Sequence, residues 1–200
     1  NISFDIKKIV ERSRKVAKQL SSGVSHLLKK NKVAVIIGSA SLKKKSGDEF
    51  NIEVFQEDEK YLNLKSKNVI MATGARAKSL PNIVPDGKDI WTYKEAMIPN
   101  TLPKSILVIG SGAIGIEFAS FYNDLGVDIT VVEVLDRILP AEDIDISNFA
   151  QKSFVKQGIN IKTSSIVKSL KTSKGKISVQ IETAAGSEEV CVEKVILAVG

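Results

Sequence analysis

The chain has 200 residues, 43% of them hydrophobic, one cysteine and a formal net charge of +6. That is enough apolar material for a core. No apolar run approaches the roughly 20 residues of a membrane span, and a lone Cys191 excludes an internal disulfide framework or cysteine metal site.

The charge is uneven, with 19 Lys+Arg against 11 Asp+Glu in residues 1–100 and 10 against 12 in residues 101–200. Lysines such as Lys43, Lys44 and Lys45 lack the aromatic interleaving of a nucleic-acid surface, so solvated faces are expected. The first residues lack the apolar centre of a signal peptide, and a cytoplasmic location is the default expectation.

Ile6, Ile9, Val10, Val16, Ala17, Leu20, Val24, Leu27 and Leu28 recur at steps of three and four, which predicts one amphipathic helix ending at Asn31. His26, the only histidine, lies on it with no acid or nucleophile beside it, and a packing or surface role is expected. Val33 to Ile37 predicts a short strand, and Phe50 to Phe55 with Tyr61 to Leu64 an antiparallel meander. Val69-Ile-Met-Ala-Thr-Gly74 is apolar throughout, the pattern of a buried strand ending in a small-residue turn. A brief helix is expected from Thr92 to Met97, and Pro99 with Pro103 marks a domain junction near residue 100.

The most informative stretch runs from Lys104 to Glu133. A strand, Ile106 to Ile109, leads into Gly110-Ser-Gly112-Ala-Ile-Gly115. A helix follows, with Ile114, Phe118, Phe121, Tyr122 and Leu125 expected on one face and Gly126 as its cap. A second strand, Ile129 to Val132, ends on Glu133. Gly112 and Glu133 are 21 positions apart. A βαβ dinucleotide site needs about 20 residues between the glycine turn and the acid that grips the adenosine ribose. In such a site the first glycine makes the turn, the second admits the pyrophosphate and the third lets helix and strand pack closely. The phosphates rest on the helix N-terminus.

Arg137 to Pro140 is expected as a loop and Ile144 to Gln157 as a helix capped by Gly158. A strand from Ile159 to Ile161, a meander through Ile166–Leu170, Ile177–Ile181 and Val190–Val192, and a last apolar run, Val195 to Gly200, complete the chain. Cys191 is expected packed or half-packed in that meander. The two halves repeat. Lys67-Asn-Val-Ile-Met-Ala-Thr-Gly74 matches Glu193-Lys-Val-Ile-Leu-Ala-Val-Gly200, and Asn31 to Gly74 spans 43 positions against 42 from Gly158 to Gly200. The first unit then lacks its own opening strand and glycine turn, so an internal piece of a two-dinucleotide enzyme is expected. A stand-alone NAD-binding module and a basic nucleic-acid binder are the alternatives.

Val69 to Ala75, Ile106 to Glu117, Val131 to Glu133, Arg137 to Pro140 and Val195 to Gly200 together resemble the flavin disulfide reductases, most closely the members that oxidise dihydrolipoamide with NAD. The resemblance covers essentially the whole chain. It implies an α/β fold of Rossmann-like dinucleotide-binding units with inserted antiparallel β-meanders. Residues 1–100 would be part of an FAD-binding domain and residues 101–200 the NAD-binding domain, with FAD and NAD as cofactors. Ala40, Thr73, Gly74 and Ala75 are implied as flavin contacts. Gly110, Ser111, Gly112, Ala113, Ile114, Gly115, Ile116, Glu117, Glu133, Val167 and Gly200 are implied as NAD contacts, with Glu117 on the nicotinamide and flavin side.

The family's flavin-pyrophosphate turn, redox cysteine pair and histidine–glutamate base have no counterpart among these residues, so no catalytic residue or metal ligand is expected here and the chain is expected to be inactive alone. In the whole enzyme the implied partner is dihydrolipoamide on a lipoyl carrier domain of a 2-oxoacid dehydrogenase complex, and the implied assembly a homodimer, without nucleic acid or membrane. Glutathione and mercuric reductases are related alternatives, but they typically favour NADP, against which Glu133 argues.

Overall fold

A computed structural model describes residues 3–57, 60–173 and 175–199. The chain forms two compact units, Arg14–Ala75 and a larger one of Asn1–Ser13 with Arg76–Gly200. Among the described residues no helix is long and apolar enough to cross a membrane, and no cluster of side chains is able to hold a metal ion.

Helix α1, Ile6–Lys30, starts where the Asp5 carboxylate accepts the N–H groups of Lys7 and Lys8, and it ends on Lys29 and Lys30, which suit the negative helix terminus. Its apolar stripe is predicted correctly but none of it is buried: Leu20 is 67% exposed. The smaller unit then carries β1 (Ser39–Leu42), β2 (Phe50–Phe55) and β3 (Tyr61–Ser66) as an antiparallel sheet in the order β1-β2-β3.

Two expectations fail here. Residues 33–37 and 69–74 belong to no strand, and Ile37 and Ile70 are 72% and 92% exposed. A buried parallel strand needs partners on its edges and layers on its faces, and no described residue supplies them.

The larger unit centres on a parallel sheet ordered β4-β11-β5-β6-β7, made of Ile90–Trp91 (β4), Ser105–Ile109 (β5), Asp128–Val132 (β6), Asn160–Lys162 (β7) and Lys194–Leu197 (β11). Period-two alternation divides each strand between two layers. Ile106, Val108, Ile129, Val131 and Ile196 face one cluster with Ile116, Ala119 and Tyr122 of helix α3 (Ala113–Asp124). Leu107, Ile109, Val132, Val195 and Leu197 face the other, against Ile177, Val179 and Ile181 of β9. That strand (Lys176–Thr183) is the centre of an antiparallel meander with β8 (Ile166–Ser173) and β10 (Gly186–Val192). Cys191, expected at least half-packed, is an exposed free thiol, because the alternation of β10 turns Val192 inward and its neighbour out.

The short helix α2, Tyr93–Ala96, starts on a capping box: the Lys94 backbone N–H donates to the Thr92 hydroxyl oxygen at 3.2 Å and the Thr92 backbone N–H donates to Glu95 Oε2 at 2.8 Å, with the Thr92 hydroxyl also donating to Oε2 at 2.7 Å. Tyr122 is fully buried and its hydroxyl donates to the Ala96 carbonyl at 2.7 Å, tying α3 to α2. Trp91 and Ala96 belong to the core under α3, so this compact unit also takes in residues just before position 100.

The packed face of α3 differs from the expected one. Gly115, Ile116, Ala119 and Tyr122 are buried, while Ile114 and Phe121 are 54% and 37% exposed. Two small residues at 115 and 119 let the helix approach the sheet closely, and that outweighs the larger apolar side chains one position away.

Candidate functional site

The glycine turn sits where β5 ends and α3 begins. Gly110 has φ +98, and a Cβ there would lie 2.7 Å from the Ala198 carbonyl oxygen at the end of β11, so both conformation and space demand glycine. A Cβ on Gly115 would lie 2.1 Å from the Gly110 carbonyl oxygen, which makes the third glycine the contact point of helix and strand. Gly112 is different. It is the N-cap of α3 with φ −64 and ψ 178, it makes no side-chain cap, and a Cβ there would meet nothing within 4 Å. The packing around Gly112 does not require glycine; the space above it is left for something else.

That space is a cleft of about 510 Å³ walled mainly by Gly110 to Gly112, Glu133 to Leu135 after β6, Ser165 to Val167 at the start of β8, and Ala198 and Val199 after β11. All of these follow the C-terminal ends of parallel strands or open the adjoining meander, the rim where ligands of open α/β sheets bind.

Glu133 is 6% exposed and its carboxylate is held by three donors. Ser111 donates its backbone N–H and its hydroxyl to Oε2 at 2.8 and 2.7 Å, and Leu135 donates its N–H to Oε1 at 2.9 Å. Arg137, the cation nearest to Glu133 in sequence, turns its Nη2 to the Pro140 carbonyl at 3.2 Å. The wall opposite is shaped by Ser164, whose φ of +48 makes the bend into β8, and by the Ser165 N–H, which donates to the Glu133 carbonyl.

Gly110, Ser111, Gly112, Glu133 and Val167 are thus brought together in one cleft. Ala113 and Ile114 lie in the exposed first turn of α3, and Gly115 and Ile116 are buried beneath it. Glu117 is exposed and borders a separate groove of about 300 Å³ with Phe118, Phe121 and Met97. Gly200 lies outside the described residues, although Val199 before it lines the cleft. In the smaller unit Ala40 lies on β1 opposite Val54, and Thr73, Gly74 (φ +78) and Ala75 are exposed in the irregular segment after β3. Sequence reasoning missed two features of the site: the Ser111–Glu133 hydrogen bonds and the Leu139 N–H donating to the Ser111 carbonyl at 2.9 Å. The unusual φ of +48 at Leu139 left no mark in the sequence.

The family model described as pyridine nucleotide-disulphide oxidoreductase matches residues 3–200. The chain belongs to this family. Among its relatives in the family, the dihydrolipoyl dehydrogenase of Rhizobium etli is 45% identical over 211 residues, covering 100% of this chain and 44% of that protein. The dihydrolipoyl dehydrogenase of Zymomonas mobilis is 48% identical over 183 residues, covering 92% of this chain and 38% of that protein. The crystal structure of LpdA from Mycobacterium tuberculosis superposes with a TM-score of 0.90 at 27% identity, covering 100% of this chain and 43% of that one. The chain therefore spans less than half the length of the curated family members it matches.

Proposed function

We propose that the cleft of the larger unit binds NAD, and that the chain is part of a dihydrolipoyl dehydrogenase that oxidises dihydrolipoamide to lipoamide by way of a redox disulfide and FAD. The observation that carries the reading is the Gly112–Glu133 pair: an open approach to backbone at a helix N-terminus, and a fixed carboxylate across the same cleft. The residues fit the nucleotide. The pyrophosphate would meet the N-terminus of α3 above Gly112, and the adenosine ribose would meet Glu133. Ser165 to Val167 would wall the adenosine side. Bound NAD supplies a hydride acceptor; the protein's part is to bind, orient and exclude water.

In this reading residues 101–200 are the NAD-binding domain and residues 1–100 contribute to the FAD-binding domain through Ala40, Thr73, Gly74 and Ala75. Glu117, one turn into α3, would lie toward the nicotinamide end of the nucleotide. Cys191 is the only cysteine of the 200 residues and stands exposed on the meander, so the redox pair is not formed within them. The whole enzyme would be a cytoplasmic homodimer, accepting electrons from a lipoyl carrier domain of a 2-oxoacid dehydrogenase complex. Calorimetric titration of the 200-residue chain with NAD and with NADP tests the site. Saturable NAD binding with weaker NADP binding is expected, and equal affinity for the two at low salt would remove Glu133 from the ribose.

A further inference from the structure

We propose that Ser111 is a positioning residue for the adenosine ribose. It acts on the nucleotide through Glu133 and thereby helps to set the choice of NAD over NADP, while its own hydroxyl stays off the ligand. The inference rests on the NAD reading of the cleft.

Ser111 stands between the first two glycines of the turn and is completely buried. A serine hydroxyl has one proton to donate, and this one goes to Glu133 Oε2 at 2.7 Å. The Ser111 backbone N–H donates to the same oxygen at 2.8 Å. Oε2 is therefore filled from the glycine turn. Among the described residues Oε1 receives the Leu135 N–H alone, at 2.9 Å, and keeps an acceptor site for a ribose hydroxyl. The serine is itself immobilised, since its carbonyl accepts the Leu139 N–H at 2.9 Å and the Leu139 carbonyl accepts the hydroxyl of buried Ser147 on helix α4 (Ile144–Lys156) at 3.1 Å. One chain of hydrogen bonds thus runs from α4 through the turn to the carboxylate.

Without the Ser111 hydroxyl, the carboxylate keeps its charge but loses one of three donors and part of its fixed orientation. A ribose diol, which needs that orientation, binds less well. A 2′-phosphate, disfavoured by like charge rather than by geometry, is affected less.

The test is calorimetric titration with NAD and NADP of the 200-residue chain and of Ser111→Ala, Ser111→Cys, Glu133→Ala and Ser111→Ala/Glu133→Ala, with Gly112→Val as the control for the site. Ser111→Ala is expected to weaken NAD about tenfold, as loss of a hydrogen bond to a charged group predicts, and NADP less, so that the preference narrows. Ser111→Cys, similar in size with a weaker donor, is expected to fall between. In the Glu133→Ala background, Ser111→Ala is expected to change NAD affinity by less than about twofold, because its route to the ligand is gone. Unchanged NAD affinity in folded Ser111→Ala, equal losses for NAD and NADP, or the same loss with and without Glu133 overturns the proposal. If Ser111→Ala does not fold, Ser111→Cys carries the same comparisons. Failure of the parent chain to bind NAD, or undiminished binding by Gly112→Val, overturns the NAD reading and this proposal with it. Undiminished binding by Ser111→Ala beside loss in Gly112→Val overturns the role of Ser111 alone.

Discussion

Two substitutions in one turn, Gly112→Val and Gly115→Ala, should have opposite consequences. At Gly112 the backbone is extended, φ −64 and ψ 178, and a Cβ meets nothing within 4 Å, so valine fits the folded chain. Valine is a poorer N-cap than glycine, but that deficit is offset by the roughly 0.4–1 kcal/mol gained when a glycine is removed from the unfolded chain. The net change should stay within about 1 kcal/mol. The isopropyl group would nonetheless fill the approach of the pyrophosphate to the α3 N-terminus, and NAD affinity should fall at least about a hundredfold, some 2.7 kcal/mol.

At Gly115 the new Cβ would lie 2.1 Å from the Gly110 carbonyl oxygen and 3.3 Å from the Ala198 Cβ. Backbone cannot yield there without moving α3 off the sheet, and such overpacking costs about 1–3 kcal/mol. In a chain of this size 1 kcal/mol moves Tm by about 2–4 °C, so a fall of roughly 2–12 °C is expected. Melts followed by circular dichroism and calorimetric titration of each variant separate the two effects. A Gly112→Val protein that melts well below the parent, or that binds NAD normally, would falsify the assignment of open space to the nucleotide. A Gly115→Ala protein as stable as the parent would contradict the contact assigned to the third glycine.

Tyr122→Phe leaves the Ala96 carbonyl without its donor and should destabilise the larger unit by about 1–2 kcal/mol, read as a Tm shift, with NAD affinity unchanged. An excised segment of residues 76–200 should melt cooperatively and at a higher temperature than residues 103–200, which lack Ile83, Trp91 and Ala96 of the core and the Asp89 partner of Lys194; equal melting temperatures would refute the role of those residues. Acid should weaken the same region. Burial pushes the Asp86 and Glu95 carboxyls up. For Asp86 the backbone N–H groups of Ile90, Lys88 and Asp89 outweigh it, and for Glu95 the hydroxyl and N–H of Thr92 do, so both are held below their ordinary values of 3.8 and 4.5. Depressed values mean stability that is present above those pH values and lost as pH falls through the folded-state ones. Tm should therefore begin to drop below about pH 4.5, less steeply in Asp86→Asn and Glu95→Gln.

Local chemistry was enough to read the elements that carry their own signals. The α1 stripe, the brief helix after Thr92, the Gly126 and Gly158 helix ends (φ +85 and +99), and the strand–glycine–helix–strand–acid order of Lys104 to Glu133 all stand in the structure where residue type and spacing place them. Each depends on contacts between residues close in the chain. Burial was another matter. The apolar runs at 33–37 and 69–74 read as strands because a run records what a segment is able to bury, whereas a strand exists only when another segment pairs with it. The packed face of α3 was set by the two small residues that let it approach the sheet, a choice made by the sheet as well as the helix. The acid at position 133 was legible from its distance to the glycine turn, but its tie to Ser111 joins residues 22 apart across two parallel strands. Only the register of β5 against β6, Ile109 beside Val132, brings the serine and the carboxylate together.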